Sequence, residues 1–216
     1  MAMQCPQCGT DKPAAGSPLD LCPACLLSAA LSADPEPCPY HIVAPIAESR
    51  TGTTYLAQPV RGRGIVALKI FAGRDDVGAV LAQYDRLKPA LSRVNHPGVA
   101  RLVDAGLTDD GLLYTASPFV AGWQLSAIDD RPAIGHDARL EIARQLTSAG
   151  AAIHDAGLAH LAIDVSNVRV STAGGIRATL LGFGAAMIVA GLEPSADADR
   201  NALAQLLRRI GVRTPA

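Results

Sequence analysis

Two stretches of opposite character frame the segment that most restricts how this chain can fold. Ala138 to Ala156 is polar, with apolar residues at Leu140, Ile142, Leu146 and Ile153. That is helical spacing, and Gly157 suits the C-terminal cap. Ala178 to Leu192 carries no charge and is interrupted by Gly182, Gly184 and Gly191. Its fifteen residues fall short of the ~20 that cross a bilayer as a helix, so a buried strand and turn is expected and no membrane contact. Joining the two is His160-Leu161-Ala162-Ile163-Asp164-Val165-Ser166-Asn167, followed fifteen residues later by Gly182-Phe183-Gly184. A helix, a polar loop and a buried strand in that order commit the chain to an α+β fold.

With 216 residues the chain can bury a real core and fits one compact domain plus a small appendage. A formal net charge of -1 supplies no global basic field to draw it to nucleic acid or an anionic membrane. Met1 to Pro6 has neither a basic region nor an apolar one, so no secretory signal is expected there. The expected location is cytoplasmic.

Four of the five cysteines form Cys5-x-x-Cys8 and Cys22-x-x-Cys25, thirteen residues apart, with Gly9 after the first pair. Two such pairs can set four thiolates around a tetrahedral Zn²⁺ at zinc-ribbon spacing. A reducing cytosol disfavours the competing pair of disulfides. So small a unit needs the metal to fold, and four thiolates leave no open position, which makes the zinc structural. Between Met1 and Ala30 the only charged side chains are Asp11, Lys12 and Asp20. Nucleic acid would want a Lys/Arg cluster, so residues 1–30 are expected to form a protein-docking zinc ribbon. Cys38 stands alone beside His41's neighbourhood and reads as a small apolar residue at a domain entry. Residues 31–39 include Ser32-Ala33-Asp34-Pro35-Glu36-Pro37-Cys38-Pro39, a proline-rich linker.

From Tyr40 to Ile70 short β-rich runs alternate with turns and end in Val66-Ala67-Leu68-Lys69. The hairpin Ile46 to Ala57 precedes it, with Ala47, Ser49 and Gly52. Val77 to Asn95 has apolar positions at Val80, Leu81, Tyr84, Leu87, Leu91 and Val94, the pattern of a helix. Pro89 predicts a kink or an early end to it. His96-Pro97-Gly98-Val99 and the strand-like Leu113 to Val120 follow. In this order and spacing, the motifs resemble those of eukaryotic-type Ser/Thr protein kinases: a glycine-rich loop, V-A-I-K, H-P-N-I, H-R-D-L-x-x-x-N and D-F-G. The resemblance implies a protein-kinase-like bilobal fold over residues 40–212. Its parts would be a mainly antiparallel β N-lobe over 40–117, a hinge over 118–122 and a truncated helical C-lobe over 123–212. Asp199-Arg200-Asn201-Ala202-Leu203 resembles the start of the helix that anchors the catalytic loop in that family.

Residue by residue, the resemblance gives Lys69 the contact to nucleotide phosphates, and Asn167 one metal contact. The Pro118 carbonyl and the Val120 amide and carbonyl would hold adenine, and Gly52 is the one phosphate-loop glycine left of three. Leu91, Leu102, His160 and Phe183 would form a stacked hydrophobic spine. Against these stand the losses. Ala162 and Gly182 occupy the positions of the proton-accepting and Mg²⁺-binding aspartates, Leu87 that of the glutamate partnering the lysine, and Asp164 reverses the charge of a basic residue. A methyl group and a hydrogen atom can neither take a proton nor bind a cation.

The reading is a pseudokinase: a binding, scaffolding or regulatory module that docks a protein partner through its zinc ribbon or its kinase-like surface. ATP with Mg²⁺ would bind weakly or not at all. The alternative is an atypical Ser/Thr protein kinase, with Asp164 as base or metal ligand and Lys69 and Asn167 holding ATP.

Overall fold

The computed structural model describes residues 3–4, 11–12, 39–73, 76–129 and 134–212. Cys5, Cys8, Cys22, Cys25 and Cys38, with the proline-rich linker, lie outside the described residues, apart from Pro39. Near the start, β1 (Met3–Gln4) and β2 (Asp11–Lys12) pair antiparallel, Met3 opposite Lys12 and Gln4 opposite Asp11. The remainder divides into two compact units, Met1–Asp75 with Ala105–Phe119 and Asp76–Asp104 with Val120–Ala216.

The first unit is built on β3 (Tyr40–Ser49), β4 (Gly52–Pro59), β5 (Val66–Phe71), β7 (Asp104–Leu107) and β8 (Leu113–Pro118), in the sheet order β3-β4-β5-β8-β7. Its β3, β4, β5 and β8 pairings are antiparallel. β-Branched and aromatic residues favour these strands, and one face buries Tyr40, Ala57, Leu68, Tyr114 and Ala116, with Ile42, Val66 and Ile70 against them. Tyr40 meets Tyr114 edge to face at 5.6 Å between ring centroids. Pro45 is accommodated because β3 is an edge strand whose register shifts between Ile42 and Ala44 and again between Pro45 and Ala47.

The second unit holds α1 (Val77–Leu91), β6 (Val99–Arg101), β9 (Trp123–Gln124), α2 (His136–Asp155), β10 (Val168–Ser171), β11 (Arg177–Phe183), α3 (Ala185–Val189) and α4 (Ala196–Arg209). Its sheet runs β6-β11-β10-β9, with β6 parallel to β11 and the other pairs antiparallel. Helix α2 packs on β11 and on α4. Its buried stripe is Ile142, Ala143, Leu146, Ala149, Gly150 and Ile153, one helical face. Leu140, read from the sequence as part of that stripe, is 44% exposed. The helix ends as its sequence implies. Gly157 takes φ +73°, its amide donates to the His154 carbonyl at 2.9 Å, and Leu158 donates to that of Ile153 at 3.3 Å.

Helix α1 buries Val80, Tyr84 and Leu91, and it runs past Pro89 to Leu91. The helix thus ends short of Asn95, soon after the proline, as the early end expected from Pro89 implies. Proline deprives the helix of one amide, but this one lies in the last turn, where Ser92 closes the end by donating its amide to the Lys88 carbonyl and its hydroxyl to that of Pro89. The uncharged run from Ala178 becomes most of β11 followed by α3. Among the described residues no helix is long and apolar enough to cross a membrane.

Candidate functional site

In the first unit, the β3–β4 hairpin turns through Arg50 and Thr51, with Ser49 paired to Gly52. Gly52 has φ +135°, and a Cβ built on it would lie 2.0 Å from the Ile70 carbonyl oxygen and 2.8 Å from the Phe71 Cα. Any side chain would drive β4 off β5, so the strand pairing alone demands glycine here. Ser49 Oγ donates to the Gly52 carbonyl at 2.9 Å and lies 3.1 Å from Thr51 Oγ1.

Lys69, in β5, sends its Nζ 2.8 Å to Thr51 Oγ1 and sits 4.8 Å from the Phe71 ring centroid. Burial pushes its ammonium below the usual lysine range. The lysine therefore has a hydroxyl and an aromatic face for company. Pro118 closes β8 opposite Val66, and the next amide, of Phe119, donates to the Ile65 carbonyl at 3.0 Å. Val120 opens the second segment of the other unit.

In the second unit, the loop between α2 and β10 is held from below by Asp199, 1% exposed in the first turn of α4. Its Oδ2 accepts the His160 amide at 2.7 Å and its Oδ1 the Leu161 amide at 2.7 Å, while His154 Nε2 lies 3.0 Å from Oδ2. Leu161 has φ +60°, the left-handed region that a side chain enters only at a cost. Two charge-assisted bonds on either side of that residue fix it there.

Further along, Asn167 Nδ2 donates to the Ala162 carbonyl at 2.8 Å and so closes the loop on itself. Asp164 Oδ1 accepts both the Ser166 amide at 2.9 Å and the Ser166 hydroxyl at 2.7 Å, capping the 3-10 turn Val165–Asn167. Those bonds from Ser166, the amide first, hold its carboxyl below the usual range. Gly182, next to last in β11, has φ +78° and is exposed, with open space where a Cβ would stand.

The four spine residues read from the sequence lie within this unit and are buried: Leu91, Leu102, His160 and Phe183. The His160 ring stacks obliquely on Phe183 at 6.2 Å between centroids. Between them and the leucines runs Gly184, φ +93°, where a Cβ would come 3.0 Å from Leu91 Cδ2 and 3.6 Å from Leu102 Cβ. Among the described residues neither His160 ring nitrogen has a well-formed hydrogen-bond partner. Burial pushes the imidazole down to about 4, against the opposing pull of the Asp199 carboxylate.

The structure thus brings Ala162, Asp164, Asn167 and the buried column together within one unit, and Gly52 and Lys69 together in the other. Sequence reasoning passed over Thr51, the acceptor for Lys69, since a turn threonine carries no pattern of its own. It also passed over Arg169, whose Val-Arg-Val setting reads as an ordinary outward strand position.

No family model matches the chain. Over 161 residues it is 32% identical to the serine/threonine-protein kinase pkn2 of Myxococcus xanthus, covering 73% of this chain and 19% of that protein. It is 31% identical over 134 residues to pkn3 of the same organism, covering 61% and 24% respectively. The chain therefore spans about a fifth to a quarter of these relatives' length. Among solved structures, the Mycobacterium tuberculosis PknI kinase domain superposes with a TM-score of 0.64 at 26% identity, covering 83% of this chain and 79% of that one. Rad53 1-466, in complex with AMP-PNP, shares the fold at a TM-score of 0.61 and 22% identity, with 80% of this chain and 48% of that one covered.

Proposed function

We propose that this chain, a kinase-like protein with the fold of protein-kinase domains and Ser/Thr protein kinases as its relatives, is a catalytically silent binding or scaffolding module. One observation carries the reading. The loop is fixed by Asp199 and Asn167, yet the positions that the resemblance makes reactive are Ala162 in the loop and Gly182 in β11, and the nearby carboxylate of Asp164 is committed to Ser166. Phosphoryl transfer depends mainly on positioned charge, and the charge is missing.

The residues present do not fit Mg²⁺. Mg²⁺ takes oxygen ligands: Gly182 has no side-chain oxygen to offer, Asp164 serves as a cap, and Asn167, whose Nδ2 is tied to the Ala162 carbonyl, is left to supply a single neutral amide oxygen. Nucleotide binding through Lys69, Gly52, Pro118, Val120 and Asn167 would accordingly be weak, about 0.1 to 1 mM or worse, and nearly independent of Mg²⁺. Cys5, Cys8, Cys22 and Cys25 are proposed to hold one structural zinc. Four thiols in two Cys-x-x-Cys pairs are a suitable donor set. The resulting ribbon, with few charges, would dock a protein partner in a reducing, cytoplasmic setting.

The test is a radiolabelled ATP assay beside thermal unfolding with and without Mg²⁺-ATP. The proposal expects no transfer to protein substrates or to the chain itself, and little shift in unfolding. Transfer that vanishes on Asp164→Ala would overturn it and establish an atypical kinase.

A further inference from the structure

Arg169 lies in β10 between Val168 and Val170, both fully buried on the core side, so its side chain rises from the opposite face of the sheet. Register places it opposite Gln124 of β9 on one side and Thr179 of β11 on the other. Residues facing one another across antiparallel strands share a face, so Gln124, Arg169 and Thr179 form one polar row. Among the described residues the guanidinium makes a single hydrogen bond, from NH1 to the Gly122 carbonyl at 3.0 Å.

That carbonyl is brought there by a close approach. Gly122 has φ +134°, and a Cβ on it would lie 2.4 Å from the Val170 carbonyl oxygen. The Arg169 side chain is half-buried, and burial pushes its guanidinium below the usual arginine range. Arg139, in the same unit, is different: it pairs with Asp129 at 3.4 Å and donates to the Ile134 and Ile210 carbonyls. Among the described residues Arg169 is a shielded cation whose partner is one neutral carbonyl, with four of its five N–H donors unused there.

We propose that this face of β9, β10 and β11 is an anion site, in which Arg169 receives a carboxylate or phosphate group through its planar fork and no divalent cation takes part. A guanidinium recognises both groups through two parallel hydrogen bonds, and partial burial strengthens that attraction while weakening competition from water. Gly122 fixes one edge of the fork and leaves the other presented. The site is independent of whether the loop is catalytically silent, since neither Ala162 nor Gly182 contributes to it.

Thermal unfolding of the full chain in chloride buffer, without added divalent cation and at constant ionic strength, provides the test. Inorganic phosphate, acetate and ADP are titrated separately against the parent, Arg169→Leu and Arg169→Lys. At least one of these anions is expected to raise the parent's midpoint, and the arm that does so tells phosphate from carboxylate and free phosphate from nucleotide. Arg169→Leu should lose that response, yet match or exceed the parent's midpoint in chloride, because it removes a shielded charge with little to compensate it. Arg169→Lys, which keeps the charge and loses the fork, should bind roughly tenfold to a hundredfold more weakly. It decides the matter should the leucine variant not fold. The proposal is overturned if none of the anions stabilises the parent, if the variants respond as the parent does, or if Arg169→Leu is as destabilised in chloride as in anion, which would make Arg169 a purely structural arginine.

Discussion

Asp199 holds the backbone of His160: its buried carboxylate accepts that residue's amide at 2.7 Å, across 39 positions of sequence. The same carboxylate takes the amide of Leu161, whose left-handed backbone has no glycine to ease it. Helix α4 therefore sets the conformation of a loop that local sequence preference would not choose.

Asp199→Ala is expected to lower unfolding stability by about 3 kcal/mol, because it strips two buried amides of a charged acceptor at once. Asp199→Asn, which keeps one carbonyl oxygen, should lose less. Urea unfolding measures both, and a midpoint within error of the parent's for the alanine variant would show that the loop stands without α4.

Stability should fall with acid before the carboxylates titrate. Burial holds the His160 imidazole down at about 4 in the folded chain, against an ordinary 6.5, so the unfolded chain binds the proton more readily in that interval. Its contribution is complete above about pH 6.5 and is lost as pH drops toward 4, on the order of 3 kcal/mol in all. Asp164, whose carboxyl is also held low, acts in the same direction but further into acid. Urea midpoints at pH 7 and pH 5, compared between the parent and His160→Phe, check this: the variant should lose most of the difference.

Gly52→Ala should destabilise the five-stranded sheet by about 3 kcal/mol or more, as it adds a backbone clash to an unfavourable φ. Ser49→Gly and Ala47→Gly, one turn away, should each cost less than about 1 kcal/mol. Near-parent stability of Gly52→Ala would instead assign that glycine to a ligand.

Protein purified without chelator should carry one equivalent of zinc by elemental analysis, and Cys22→Ser should lose it. Less than half an equivalent, or full metal in the serine variant, would count against four thiolate ligands.

How far the sequence could be read depended on what each residue's role requires. The order of elements was legible because helical and strand periodicities are local, and so was the end of α2 at Gly157. The buried column was legible only through the resemblance, which singles out Leu91, Leu102, His160 and Phe183 although no spacing in the sequence connects them. Pro89 was informative, since the helix patterned to Asn95 stops at Leu91, but how many residues a helix keeps after a proline depends on the bonds that close its end. Asp164 was read as a base or metal ligand in the alternative to a pseudokinase, and its role as a cap, through its bonds to Ser166, could be found only in three dimensions. Arg169 was invisible for a similar reason: alternation with two valines says which face it takes, not that its charge goes unanswered there.

Gly184 carries a consequence for how the chain breathes. Because no side chain intervenes, Leu91 at the end of α1 rests almost on the backbone that follows Phe183. The helix cannot peel away without uncovering that aromatic ring. Its amides should accordingly share an opening event with those of β11, and the two segments should exchange hydrogen for deuterium at matching rates while strand β3, at the edge of the other sheet, exchanges on its own schedule.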